Sequence, residues 1–255
     1  MEESVASPNR PAWVDLSTSD PAAAHAFYSA VLGWDVAVSP DPQYGGYAMA
    51  RVGGFDVAGI GPAQPGAPTA WMLYLGTDDA AALAARVEAA GGKVVVPAFA
   101  VGDVGTMAVF QDPSGAFISA WQPDTMAGFH TGEPGTFQWA ELNARGIDGV
   151  MSFYEQAFGW GHTTRPAPGG LVYTQFEADG VGIGGGMEMS PMVPAEVPSH
   201  WMVYFSVADV DASFGRVLAA GGREMLAPTD FPGGRFAIVG DPQGAAFALH
   251  AVTGA

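Results

Sequence analysis

The sequence predicts an α+β fold of tandem βαβββ units, two in each of two domains. Three observations predict it. Residues 13–34 read WVDLSTSDPAAAHAFYSAVLGW and residues 139–160 read WAELNARGIDGVMSFYEQAFGW. The offset of 126 carries Leu16 onto Leu142, Phe27 onto Phe153, Tyr28 onto Tyr154 and Gly33 onto Gly159. Later, Trp71-Met72-x-Tyr74 returns 130 residues on as Trp201-Met202-x-Tyr204, and Gly91-Gly92 returns as Gly221-Gly222. Finally, the order strand, helix, three strands is read twice within each half. A recurrence of this kind means copies of one structural unit stacked or paired to bury a shared core.

The elements follow in order. Trp13 to Ser17 alternates as a strand does. Asp20-Pro21 supplies an N-cap followed by proline at the first helical position, which opens a helix over Ala22 to Leu32 with Phe27, Val31 and Leu32 toward a core. Gly33 closes it, because glycine reaches positive φ without a Cβ clash. Trp34 to Val38, Tyr47 to Val52 and Val57 to Ile60 read as strands joined by glycine turns. After the proline-rich loop Pro62 to Pro68, Trp71 to Leu75 is the next strand. Asp78 and Asp79 cap a helix that runs to about Ala90 and stops at Gly91-Gly92. Lys93 to Val96, Thr106 to Gln111 and Phe117 to Gln122 complete the second unit, the last after an Asp112-Pro113-Ser114-Gly115 turn. Pro123 to Thr136 is aperiodic and rich in glycine and proline, which suits a linker. The expected domains are therefore 1–123 and 137–255, with 124–136 between them.

Composition bounds the function. The chain has 255 residues, 49% of them hydrophobic, enough for two ordinary cores. It carries 26 acidic against 9 basic residues, a net charge of −17, and such a surface repels nucleic acid and anionic membranes. It has no cysteine, which removes disulfides, thiolate ligands and cysteine nucleophiles. Residues 1–10 lack the layout of a signal peptide and no apolar run reaches membrane length, so a cytoplasmic protein is expected. A homodimer is compatible with the sequence, and a small molecule is the expected partner.

Phe27-Tyr28 with Leu32-Gly33, Ala89-Ala90-Gly91-Gly92, and Asp112-Pro113-x-Gly115 before a final strand all recur in the second half. In this order and spacing they resemble the vicinal oxygen chelate superfamily, which holds glyoxalase I, the bleomycin-resistance proteins and the extradiol dioxygenases. The chain is most similar to two-domain actinobacterial proteins of the glyoxalase-like or hydroxylase type. The resemblance implies paired units forming a half-open barrel in each domain, with helices outside and, in metal-using members, ligands on the inner face. Placed on this sequence, the family's ligand positions fall on Trp13, Met72 and Ser119, and on Trp139, Met202 and Ala248. None of these is a good divalent-metal ligand, so no metal or other cofactor is expected in the usual site.

Residues two apart on a strand share a face. If Trp13, Met72 and Ser119 face inward, Asp15, Tyr74 and Trp121 do too; in the second half Trp139, Met202 and Ala248 bring Glu141, Tyr204, His200 and His250. Trp13, Met72, Tyr74, Trp121, Trp139, Met202 and Tyr204 are therefore candidate ligand-binding residues, with simple core packing as the alternative. Asp15 and Glu141 are candidate acid/base residues, or else structural acids bonded to nearby amides. Glu141, His200 and His250 have the residue types of a displaced metal site. Gly182 to Gly186 lacks the third glycine of a dinucleotide loop and reads as a strand or bulge. The leading expectation is metal-independent sequestration or carriage of a small aromatic metabolite or antibiotic. The alternative is a glyoxalase-like lyase, isomerase or hydroxylase-like enzyme using Asp15 or Glu141. A third option is a partner-binding protein with filled interiors.

Overall fold

The computed structural model describes residues 7–167 and 170–252, so the outermost bounds of the two expected domains lie outside it. The first half runs β1 (Pro11–Thr18), α1 (Pro21–Leu32), β2 (Asp35–Val38), β3 (Ala48–Val52), β4 (Phe55–Pro62), β5 (Ala70–Gly76), α2 (Ala80–Ala89), β6 (Lys93–Val101), β7 (Gly105–Gln111) and β8 (Phe117–Pro123). The second half repeats it as β9 (Phe137–Ala144), α3 (Met151–Phe158), β10 (Gly161–Pro166), β11 (Val172–Ala178), β12 (Val181–Glu188), β13 (His200–Ser206), α4 (Val210–Ala219), β14 (Arg223–Phe231), β15 (Gly234–Gly240) and β16 (Ala246–Val252). Each half is one eight-stranded sheet, in the orders β2-β3-β4-β1-β5-β8-β7-β6 and β10-β11-β12-β9-β13-β16-β15-β14. Among the described residues neither sheet closes: β2 and β6, like β10 and β14, remain edges. The two units of a half meet where their first strands pair antiparallel, β1 with β5 and β9 with β13.

Local chemistry explains most boundaries. The Asp20 carboxylate accepts from Ala23 N, Pro21 occupies the first turn of α1, and Gly33 leaves at φ 75°. Asp79 and Asp209 cap α2 and α4 in the same way. The second half departs at one helix start. Where Asp20 would lie stands Gly146, and α3 has no side-chain cap of its own. Glu188, at the end of β12, instead accepts from the backbone N–H groups of Gly146 (2.9 Å) and Ile147 (2.8 Å), so a carboxylate distant in sequence serves the 3₁₀ turn ahead of α3. Strand β6 extends well beyond the expected Val96, through Pro97. An edge strand tolerates a proline, and the ladder to β7 slips between Val96 and Phe99.

One face of each sheet carries the helices and the core. Leu16, opposite both Ile60 and Trp71, belongs to this face, and Tyr28 of α1 accepts a hydrogen bond from Trp71 Nε1 at 3.1 Å. The cores of the two halves merge. Phe205 of β13 packs edge-on against Trp34 and Trp71 with ring centroids 5.3 and 5.0 Å apart, and Phe27 meets Phe247 at 6.2 Å. Two buried clasps cross the junction. Tyr28 Oη donates to Asp241 Oδ2 (3.1 Å), and Tyr154 Oη donates to Asp112 Oδ2 (2.7 Å). Trp34 Nε1 donates to Gly135 O and Trp160 Nε1 to Asn9 O, both at 2.6 Å, so each half holds the segment leading into the other half's first strand. The Phe-Tyr and Asp-Pro-x-Gly motifs thus join the two halves. Among the described residues, no helix is long and apolar enough to cross a membrane.

Candidate functional site

Among the described residues no helix covers the other face of either sheet, and the strand registers define what it presents. Asp15 lies opposite Gly59 of β4 and Met72 of β5; Trp13 lies opposite Tyr74, which lies opposite Ser119 of β8. In the second sheet Glu141 lies opposite Gly185 and Met202, and Trp139 opposite Tyr204 and then Ala248. The residues expected to share an inner face do share one, as two pseudo-symmetric constellations.

Each constellation is centred on a carboxyl group and completed by a tyrosine that the sequence reasoning passed over. Trp13 Nε1 donates to Tyr47 Oη at 2.9 Å, and the Asp15 carboxylate accepts from Tyr74 Oη (3.0 Å) and Tyr47 Oη (3.4 Å). Across the repeat, Trp139 Nε1 donates to Tyr173 Oη at 2.9 Å, while Glu141 Oε1 accepts from Tyr204 Oη and Asn143 Nδ2, both at 3.3 Å. Tyr47 and Tyr173 are related by the same offset of 126 that relates the tryptophans, and this was the signal available to find them.

Glycine makes room for these rings. A Cβ at Gly59 would strike the Tyr47 hydroxyl, and a Cβ at Gly185 would strike that of Tyr173. The glycine-rich stretch 182–186 is therefore strand β12, with a register shift opposite Phe176/Glu177, and Gly185 backs a site tyrosine. Gly185→Ala is expected to push Tyr173 off the sheet and take the acceptor from Trp139 Nε1. The tryptophan emission of the variant should shift, and an unchanged spectrum would show that the ring accommodates the methyl.

Burial controls the protonation of both acids. It pushes Asp15 from its usual range up to about 7, while hydrogen bonds from Tyr74 and Tyr47 pull it back only partly. Burial likewise raises Glu141 to about 7 against the opposing bonds of Asn143, Tyr204 and Tyr173. Tyr47, Tyr74 and Tyr204 are held well above the ordinary phenol range, first by burial and then by the neighbouring carboxylate. Near neutrality each face thus has a carboxyl able to take or give a proton, beside hydroxyl groups that stay protonated. Such a set can anchor a polar group, move a proton, or donate hydrogen bonds to a developing oxyanion.

The residues do not fit the metal of the wider family. The six ligand positions carry indole, thioether, hydroxyl and methyl groups. The displaced set is not assembled either. His200 Nδ1 lies 2.9 Å from Pro198 O, in register with Asn143 rather than Glu141. His250, the counterpart of Trp121, packs against the rings of Phe231 (5.5 Å) and Tyr204 (6.5 Å), and burial lowers its pKa. Among the described residues no three His, Cys, Asp or Glu side chains group as metal ligands.

The remaining candidates differ between the halves. Trp121 is buried and donates to Met126 O at 2.9 Å, and Phe129 of the connecting segment lies 6.3 Å from Trp13. Trp13 is consequently 2% exposed, whereas Trp139 stays partly open. A cleft of about 280 Å³ lies elsewhere, at the junction, between the end of α1, Pro134-Gly135, Val207-Ala208 and Arg216; none of the candidate residues lines it.

Comparison with known proteins accords with this geometry. Residues 10–119 match the Glyoxalase/Bleomycin resistance protein/Dioxygenase superfamily, and residues 139–250 match the Glyoxalase-like domain. CFP32 of Mycobacterium tuberculosis, a provisionally named glyoxylase, is 41% identical over 94% of this chain and 93% of its own length. The anthracycline biosynthesis protein DnrV of Streptomyces peucetius is 38% identical over 95% and 93%. Among solved structures, the Mn(II)-bound glyoxalase of Novosphingobium aromaticivorans superposes with a TM-score of 0.69 at 18% identity, covering 96% of this chain and 82% of that one. BphC, a halotolerant catechol dioxygenase, superposes with a TM-score of 0.67 at 16% identity, covering 96% and 87%; at these identities the likeness concerns the fold alone. With two duplicated halves each matched over almost its full length, and relatives alike along the whole chain, this protein belongs to the glyoxalase/bleomycin resistance protein/dioxygenase superfamily.

Proposed function

We propose that the chain binds a small, largely aromatic molecule against the helix-free faces of its sheets, without a metal, and that Asp15 and Glu141 anchor the ligand's polar group. The observation that carries this reading is the repeated constellation of indole, carboxyl and two tyrosine hydroxyls, with a methionine beside each acid. Indole and phenol rings stack on flat ligands, and thioethers adapt to their outline. Two relatives are named for anthracycline biosynthesis, and an anthracycline is a flat polycycle of this kind. An anthraquinone is a suitable probe. It should quench tryptophan emission saturably, and Trp139→Ala should weaken its binding about tenfold, the scale of one lost aromatic contact. Quenching that never saturates, or that ignores both Trp13→Ala and Trp139→Ala, would end this reading.

A second reading is favoured by the two acids that titrate near neutrality. In it the bound molecule is also turned over, Asp15 or Glu141 moving a proton while a tyrosine hydroxyl supports the charge that develops on a carbonyl or phenol oxygen. The isosteric double variant Asp15→Asn, Glu141→Gln separates the two. Retained binding with lost turnover identifies an enzyme; equal loss of both leaves the carboxyls as anchors only.

A further inference from the structure

The two constellations are not equivalent in charge, and the difference points to a ligand class. Asp15 is only partly exposed, and no lysine, arginine or histidine pairs with it among the described residues. Its partners are the hydroxyls of Tyr47, just ahead of β3, and Tyr74 on β5; β4 contributes only Gly59 at this level, and Trp13 flanks it on its own strand. The other charge felt there is also negative, since Asp56 acts on Tyr47 and is itself paired with Arg51. Beside Tyr74, the fully buried Ser119 hydroxyl acts on the Tyr74 phenol. The second face already contains a cation: the Arg165 guanidinium sits over the Tyr173 ring at 5.0 Å from its centroid. The position equivalent to Arg165 in the first half is Ser39.

We infer that the face around Asp15 takes the protonated amine of an aromatic ligand, with the partly exposed Tyr47 and Met72 supplying the wall and Asp15 the countercharge. This rests on the aromatic-ligand reading above and names the class of molecule for one of its two faces. A carboxylate withdrawn from water with no cation beside it is an unmet electrostatic demand. An ammonium group meets that demand and is at the same time attracted to aromatic faces. On the second face the Arg165 guanidinium over Tyr173 repels an incoming cation, so it is the weaker cation site. The overall charge of −17 favours the approach of a cation at low salt.

Protonation adds a signature. The carboxyl is about half protonated near pH 7, so an arriving ammonium must release that proton. Tyr47 and Tyr74 remain neutral throughout and do not contribute to the release.

The test uses the full chain and a matched pair of probes, naphthalen-1-ylmethylamine and naphthalen-1-ylmethanol, titrated calorimetrically at pH 7 in buffers of different ionisation enthalpy. The amine should bind at least tenfold more tightly than the alcohol, with proton release. In the unmodified protein this preference should fall as pH is lowered from 8 to 5, because Asp15 gains its proton while the amine keeps its own. Asp15→Asn should abolish the preference, and Asp35→Asn, at an exposed acid on β2, should retain it. Equal affinity of amine and alcohol would overturn the cation inference and leave the aromatic site standing. Binding of neither probe would overturn the aromatic site itself. A preference that is insensitive to pH, or that is lost equally in Asp35→Asn, would show that Asp15 is not the countercharge.

Discussion

Asp112→Ala is expected to cost about 3–5 kcal/mol of folding stability, read as a lower urea midpoint with an unchanged slope. Asp112 is 4% exposed, and all of its bonds serve structure. Its Oδ1 accepts from Ser114 N (2.8 Å), Ser114 Oγ (2.7 Å) and Ala116 N (3.0 Å), closing the turn before β8, and its Oδ2 accepts from Tyr154 Oη of the other half (2.7 Å). Truncation leaves the buried amide of Ala116 and the hydroxyl of Tyr154 without their acceptor, each at about 1–3 kcal/mol. It also unseats a tyrosine that accepts from Trp201 Nε1 at 2.9 Å. Asp241, which accepts from Gln243 N, Ala245 N and Tyr28 Oη, should behave alike. A loss below 1 kcal/mol at both positions would mean that the two halves are not joined through these acids.

The double variant Asp15→Asn, Glu141→Gln should be more stable than the unmodified chain at pH 8, by about 2–4 kcal/mol, and no more stable at pH 4. Both acids have pKa values of about 7 in the folded chain, against carboxylate values near 4 when unfolded. A carboxyl raised in this way favours the folded state fully below the unfolded value and loses that contribution as pH climbs through the folded value. Stability due to these two groups therefore declines from about pH 4 to about pH 7 and stays low above it. Moving one carboxyl from near 4 to about 7 corresponds to at most about 4 kcal/mol. Solvent access and relaxation reduce this to about 1–2 kcal/mol for each. The amides keep an acceptor for the tyrosine hydroxyls without the buried charge. Urea titrations at both pH values decide it, and parallel curves for the two proteins would refute the burial account. A site that is costlier to fold in its ionised form is what a ligand-binding or proton-transferring carboxyl entails.

The duplicated architecture could be read from sequence because each unit writes its own punctuation. Asp20, Asp79 and Asp209 are side chains that cap helices through local hydrogen bonds, Gly33 ends a helix through its own φ, and strand alternation places Trp13 and Asp15 on one face without reference to anything distant. The family's metal positions could be inspected in the same way, and Trp13, Met72 and Ser119 with their second-half equivalents disclosed a donor set unlike the family's. What depended on distant partners could not be read. Glu188 replaces a local cap 42 residues from Gly146, and Tyr47 reaches Asp15 from a strand end 32 residues away only because Gly59 leaves space between them. The Phe-Tyr and Asp-Pro-x-Gly motifs were legible as family marks. Their physical task, a buried hydrogen bond between halves, is visible only when Tyr28 is found beside Asp241 and Tyr154 beside Asp112. The protonation of Asp15 and Glu141 belongs to the same class. Parity shows which way a carboxyl points, but its pKa is set by how much water, and how many hydroxyls, the assembled sheet leaves around it.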